Sequence, residues 1–309
     1  MEGMDEYEYD EEEEYEVEEL ADDEPMRILE GVYIGPMEAA LNMEALRTKS
    51  IGVSLGLLSS RDRELLDASD NTTQTIKRVV VEMDDSLDEP LLERLPALLN
   101  TLENVQKEEA SNVLVHCLAG RSRSAALVVA WLMTKHMYRL DRALEHVSMI
   151  RPWIAINDRF TQDLQLFDRI LFDPSACTRE SLRALSLPRL DFNASLTADI
   201  VSGAKSVTMR LPSDVENDKN SDLATIFPHS TVVATTAASS GELTPRAPFA
   251  YLRVDTFDSN ATLEIMTHET LLKSGFQSKE AVLAVLKQFY PDITTTSQLL
   301  VVHFTYLIT

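Results

Sequence analysis

A three-layer α/β domain with a central, mostly parallel sheet flanked by helices, followed by a small α+β region, is the fold class this sequence predicts. Three observations predict it. Between Pro25 and Pro174, β-branched apolar runs alternate with amphipathic helical patterns, the signature of a layered α/β domain. The stretch Val113–Met133, VLVHCLAGRSRSAALVVAWLM, reads as a buried strand, a glycine-bearing loop and a helix that is apolar nearly all round. After Cys177 the pattern changes to separated strand-like runs with one clear amphipathic helix.

The chain divides into residues 1–24, 25–174 and 175–309. Residues 1–24 hold 15 Asp or Glu and no Lys or Arg, which leaves a net charge of -8 for the rest out of a total of -23. Such a segment repels itself and has few apolar groups to bury, so it is expected to be a disordered acidic tail. Its first reading is a solubilising tail. Its second is a flexible polyanion competing for a cationic phosphate pocket, in which case deleting residues 1–24 lowers KM at low salt. The strong negative charge repels nucleic acid and anionic lipid over long range, so a phosphorylated substrate must be captured by a local basic pocket.

Met26–Ile34 alternates like two short strands turning at Glu30-Gly31, and Met37–Arg47 carries a helical pattern after Gly35-Pro36. Ser50–Leu58 and Thr75–Met83 are further strand candidates. The polar run Asp84-Asp85-Ser86-Leu87-Asp88 precedes Pro90 and a leucine-rich helix reaching Val105. Val113–Val115 delivers Cys117, Ser124–His136 is a buried helix, and Asp141–Met149 and Asn157–Leu171 supply two more. In the last region, Ser202–Gly241 is rich in Ser, Thr, Asn and Asp and is expected to include a flexible segment over 202–245. Phe249–Thr256, Leu263–Met266 and Leu299–Leu307 read as strands, and Ser278–Phe289 as a helix.

Two cysteines, Cys117 and Cys177, give neither a disulfide framework nor a metal-ligand cluster, and His229, His268 and His303 lack metal-ligand spacing. No metal or cofactor is expected. No apolar run approaches the ~20 residues of a membrane span. The expected compartment is the reducing cell interior, cytoplasm or nucleus.

His116-Cys117-Leu118-Ala119-Gly120-Arg121-Ser122-Arg123-Ser124 has the composition of an anion trap. A six-residue loop between strand end and helix start can turn the backbone N–H groups of Leu118, Ala119, Gly120, Arg121 and Ser122 inward. The helix dipole reinforces that field. Gly120 permits the curvature, and the planar fork of Arg123 can hold two phosphate oxygens. The same field favours a thiolate, since such surroundings lower a cysteine pKa from about 8.5 to ~3.5–7.5. Cys117 can then attack phosphorus without a separate base.

The run HCLAGRSRS followed by AALVVAWLM resembles the signature loop and helix of the dual-specificity branch of the cysteine-dependent protein tyrosine phosphatases, of the atypical type. The resemblance extends from about Met26 to Leu166, including GVYIGPMEAA near the start and Arg151-Pro152 through Asn157, Phe160, Gln162 and Leu164 at the close. Ile156, Arg159 and Asp163 stand where the family commonly has proline, glycine and glutamine.

This resemblance implies a phosphocysteine on Cys117, phosphate binding and transition-state stabilisation by Arg123, and help with thiolate loss from Ser124. It further implies that His116 holds the loop and the low thiol pKa, and that Asn157 is a structural support. The family takes its leaving-group proton from an aspartate about thirty residues before the cysteine. Asp85 matches best, then Asp84, then Asp88. The expected substrates are phosphorylated proteins, on tyrosine and on serine or threonine. Arg121, inside the loop, keeps a non-protein phosphate such as a phosphoinositide or RNA 5′ phosphate open as an alternative, and a phospho-binding adaptor is the third reading. Cys177 is read as an unremarkable free cysteine, with a resolving-thiol role as the alternative.

Overall fold

The structure is a computed structural model that describes residues 22–69, 76–109, 111–217, 222–236 and 247–309. Most of the predicted acidic tail, residues 1–21, lies outside the described residues.

The first sheet contains β1 (Met26–Leu29), β2 (Val32–Gly35), β3 (Ile51–Leu58), β4 (Lys77–Glu82) and β5 (Asn112–His116) in the order β1-β2-β5-β3-β4. Only the β1–β2 hairpin is antiparallel; β2–β5, β5–β3 and β3–β4 are parallel. The hairpin turns where expected, with Glu30 and Gly31 both at positive φ (44° and 80°), the geometry of a tight two-residue connection. β3 is apolar along almost its whole length because both of its faces are covered, as parallel strands require.

Helices α4 (Leu91–Glu109), α5 (Arg123–Lys135), α6 (Leu140–Ile150) and α7 (Asp158–Phe172) share the main core with the sheet. In α5, every residue from Arg123 to Met133 is buried, which places this helix at the centre of the layer. Helices α1 (Met37–Leu41) and α2 (Met43–Thr48) cover the other face through Ala39, Ala40 and Leu46. The single helix expected over Met37–Arg47 is divided at Asn42, whose side chain accepts from Ala45 N–H and caps α2. Helix α3 (Ser60–Ser69) was not anticipated; its one buried leucine, Leu66, gives too little apolar periodicity to read.

The second sheet contains β6 (Arg189–Phe192), β7 (Val207–Arg210), β8 (Thr231–Thr236), β9 (Pro248–Thr262) and β10 (Gln298–Ile308), ordered β6-β8-β9-β10-β7. Here only β6–β8 is parallel. Helices α8 (Arg179–Arg183), α9 (Thr197–Val201), α10 (Pro212–Asn217), α11 (His268–Lys273) and α12 (Lys279–Phe289) accompany it. Three expectations are corrected. The segment 202–245, expected to be partly flexible, contributes β7 and β8, whose Val207, Val232 and Ala234 are buried. Leu263–Met266 is a turn, not a strand, and Leu263 is nonetheless buried. Asp22, Asp23 and Glu24, expected in the disordered tail, contact Arg151, Asn42 and Lys49, because partners distant in sequence hold them.

The two sheets' layers touch. Tyr251 and Leu307 join the main core, and Arg253 donates from Nη1 to the carbonyls of Ile170 and Leu171 (2.9 Å each). No helix among the described residues is long and apolar enough to cross a membrane.

Candidate active site

The carboxyl end of β5 delivers His116 and Cys117, and the chain re-enters regular structure at Arg123. His116 lies between Gly35 of β2 and Gly56 of β3 in the sheet register. Glycine at 56 leaves room for the ring, since a Cβ there would come within 2.9 Å of His116 Nε2. Burial pushes the imidazole pKa down to about 4; a contact of Nδ1 with the Cys117 carbonyl (3.4 Å) opposes this, and the charges of Arg78 and Arg123 add to it. His116 is therefore neutral at physiological pH. Any positive field at Cys117 comes from Arg123, the loop N–H groups and the α5 N-terminus, not from an imidazolium.

Between Cys117 and Arg123 the loop carbonyls are drawn outward. Leu118 O accepts from Met37 N–H (2.9 Å), and Ala119 O and Gly120 O accept from Arg151 (3.0 and 2.6 Å). Arg121 O accepts from Ala155 N–H (2.9 Å), and Ser122 O from Ala126 N–H (2.8 Å). In a trans peptide the N–H points opposite the preceding carbonyl, so these bonds turn the following N–H groups toward the loop's interior. None of the N–H groups of Ala119 to Ser122 has a protein partner among the described residues. Gly120 is at φ +62°, and a Cβ there would lie 2.5 Å from the Gly35 carbonyl group. Glycine is thus required twice over at this position, by backbone conformation and by space.

Cys117 is 1% exposed, and its Sγ lies 3.3 Å from Ser124 Oγ. Arg123 is 5% exposed. Its Nη1 donates to Asp62 Oδ2 (2.7 Å) and to Met83 O (3.0 Å), while buried Nε has no hydrogen-bond partner among the described residues and sits 3.9 Å from Asp85 Oδ2. Nη1 is thus fastened while Nε carries no hydrogen bond among the described residues.

Asp62 escaped the sequence reading. It occupies the first turn of α3, where Ser59 and Asp62 exchange backbone-to-side-chain hydrogen bonds (3.2 Å each) as a capping pair. Burial disfavours its charge, but hydrogen bonds from Arg123 and Ser59 outweigh that and hold its pKa below the ordinary carboxylate value. The Ser-x-x-Asp spacing was the available signal, although it marks a helix start and says nothing about Arg123.

Asp85 is brought to the loop. Its Oδ1 accepts from Ser122 Oγ and from Asn157 Nδ2 (2.7 Å each), and Ser122 Oγ in turn accepts from Asn157 N–H (3.2 Å). Asn157 also caps α7 through Phe160 N–H (2.8 Å). Asp84, Asp85 and Asp88 are all exposed; what sets Asp85 apart is its bonds to Ser122 and Asn157, while Asp84 N–H is taken by Glu89. Arg121 turns away, donating from Nε to Trp153 O (2.9 Å) with its side chain exposed. Arg159 and Asp163 pair with each other (3.1 Å), and Asp163 also accepts Leu92 N–H at the start of α4 (3.0 Å). Among the described residues no cluster of three or more His, Cys, Asp or Glu could hold a metal ion.

Comparison with known proteins gives a consistent family signal. The sequence profile described as dual specificity phosphatase, catalytic domain, matches residues 32–170. Dual specificity protein phosphatase 1 of Arabidopsis thaliana is 34% identical over 145 residues, covering 47% of this chain and 69% of that protein. Dual specificity protein phosphatase MPK-4 of Drosophila melanogaster is 33% identical over 160 residues, covering 51% of this chain but 40% of the relative. Among solved structures, the human tyrosine phosphatase-like serine/threonine/tyrosine-interacting protein is similar at 25% identity and a TM-score of 0.44, covering 48% of this chain and 97% of that one.

Proposed function

Because the chain belongs to the dual-specificity family of protein phosphatases, we propose that it hydrolyses phosphorylated tyrosine, serine or threonine side chains of proteins through a phosphocysteine intermediate. In the first step the Cys117 thiolate attacks phosphorus, the bond from phosphorus to the side-chain oxygen breaks, and Asp85 gives its proton to the departing oxygen. In the second, water attacks the phosphocysteine and loses a proton to the Asp85 carboxylate. The sulfur leaves as thiolate, assisted by the Ser124 hydroxyl, and inorganic phosphate is released. The loop N–H groups and Arg123 hold the equatorial oxygens throughout, so most of the rate enhancement is electrostatic preorganisation around a covalent nucleophile.

The loop itself carries this reading: its carbonyls from Leu118 to Ser122 are all committed to protein donors, while the N–H groups of Ala119 to Ser122 and the buried Arg123 Nε have no hydrogen-bond partner among the described residues. Asp62 and Met83 act through Arg123 by fixing the orientation of its guanidinium.

Hydrolysis of an aryl phosphate by wild type, Cys117→Ser and Asp85→Asn tests the assignment. Cys117→Ser lowers turnover by more than ~10⁴-fold, and Asp85→Asn slows it by ~10²-fold or more with poor leaving groups. An effect confined to Asp84→Asn would transfer the acid role to Asp84. Assays on phosphopeptides, phosphoinositides and 5′-phosphorylated RNA then decide the substrate class. Phosphopeptide binding without turnover by wild type would instead identify an adaptor.

A further inference from the structure

The acidic segment ends against the back of the phosphate loop. Arg151 is fully buried, and its five N–H donors have five acceptors. Nε bonds Gly120 O (2.6 Å), Nη2 bonds Ala119 O (3.0 Å) and Asp22 Oδ2 (2.5 Å), and Nη1 bonds Asp22 Oδ1 (2.9 Å) and contacts Met26 Sδ (3.8 Å). The bidentate pair with Asp22 spans 129 positions of sequence and joins a buried guanidinium to a carboxylate that is 37% exposed. The Arg151 guanidinium also lies 5.0 Å from the centre of the Trp153 ring, whose carbonyl holds Arg121.

We propose that Asp22 is a positioning residue for the phosphate site, acting through Arg151 to keep the Ala119 and Gly120 carbonyls turned out of the pocket. The inference rests on the phosphate-binding reading of the loop, but not on turnover. Carbonyl bonds alone leave the Arg151 charge uncompensated inside the protein, so the side chain is held under the loop only while a carboxylate faces it. Without Asp22, Arg151 draws toward water. The two carbonyls it releases are then free to rotate, and any that turn inward replace an N–H donor by an oxygen facing the phosphate.

The sign of the effect separates this role from simple electrostatics. Removing a negative charge near an anion site strengthens anion binding by Coulomb's law. The positioning role predicts the reverse. Binding of inorganic phosphate to the full chain, measured by calorimetry well below the melting temperature, is the test. Asp22→Asn weakens phosphate binding by ~10-fold or more, Asp22→Glu restores most of it, and Glu19→Gln, which removes the same charge three positions upstream, changes it less than about twofold. Unchanged or tighter binding by Asp22→Asn, or failure of Asp22→Glu to recover affinity in a folded protein, overturns the proposal. A wild type that binds phosphate but does not turn over aryl phosphate refutes the enzymatic reading and leaves this one standing.

Discussion

The two sheets treat their buried cations differently. In the first, Arg123 and Arg151 face the carboxylates of Asp62 and Asp22, and Arg151 also holds the Ala119 and Gly120 carbonyls of the loop that follows Cys117. In the second, Lys205 donates to the carbonyls of Val207 and Ser274 (2.9 and 2.5 Å), and Arg210 Nη1 to Thr208 Oγ1 and Met209 O. Burial pulls the Lys205 pKa down to about 8, with the charge of Arg210 adding to the effect and Asp199 opposing it. Burial likewise lowers the pKa of Arg210. The buried Arg123 and Arg151 of the first sheet's layers are each matched by a carboxylate, whereas the buried Lys205 of the second is held by backbone carbonyls alone among the described hydrogen bonds. The parallel order accounts for part of this, because parallel strands direct their carboxyl ends to one edge of the sheet, where loops converge.

Glycines at positive φ give the largest expected contrast. Gly120 and Gly203 have similar φ values (62° and 78°), but a Cβ at Gly120 would strike the Gly35–Pro36 backbone while one at Gly203 meets nothing within 4 Å. Gly120→Ala therefore costs about 3–4 kcal/mol, combining conformational strain with overpacking, and Gly203→Ala about 1 kcal/mol. Chemical denaturation of both variants measures the difference; equal losses would mean that the loop yields.

The next effect in size is a pH dependence in the first unit. His116 has a folded-state pKa of about 4 against an ordinary value of 6.5. The unfolded chain takes up this proton as pH falls below 6.5 and the folded chain does not, so the contribution is complete above pH 6.5 and is lost as pH falls toward 4. At ~1.4 kcal/mol per unit the loss approaches about 3 kcal/mol. Melting curves of wild type and His116→Gln over that range converge if the imidazole is responsible, and parallel curves would exclude it.

Lys205 gives a smaller effect of the same origin in the second unit. Its folded-state pKa lies below the unfolded value of 10.5, so its burial cost is fully present below pH 8 and is relieved as pH rises toward 10.5. Lys205→Met, which keeps an unbranched side chain one atom shorter and removes the charge, is expected to stabilise the protein by about 1–2 kcal/mol at pH 7, less at pH 10. Urea midpoints at the two pH values check it. Destabilisation at pH 7 would show that the two carbonyl bonds outweigh desolvation and that the contrast between the units is weaker than drawn.

Much of the first unit was legible because its information is local. The strand, six-residue loop and buried helix lie in one continuous stretch, and alternating apolar periods announced β3, β5, α4 and α7 to within a few residues. In the second unit β7 and β8 were hidden, since Thr208, Thr231 and Thr235 are buried in a stretch whose Ser, Thr, Asn and Asp content reads as loop. There burial against neighbouring strands overrides composition.

Read by itself, the sequence was enough for the resemblance to the family, for Cys117 as the candidate nucleophile, for Arg123 as the candidate phosphate-binding residue and for a short choice among Asp84, Asp85 and Asp88. Tertiary structure decided which aspartate reaches the loop and brought Asp62 to Arg123 across 61 positions and Asp22 to Arg151 across 129. The reason is physical: a backbone period fixes which face a residue occupies, but a hydrogen bond between distant side chains depends on how whole elements pack, and no local pattern encodes that distance.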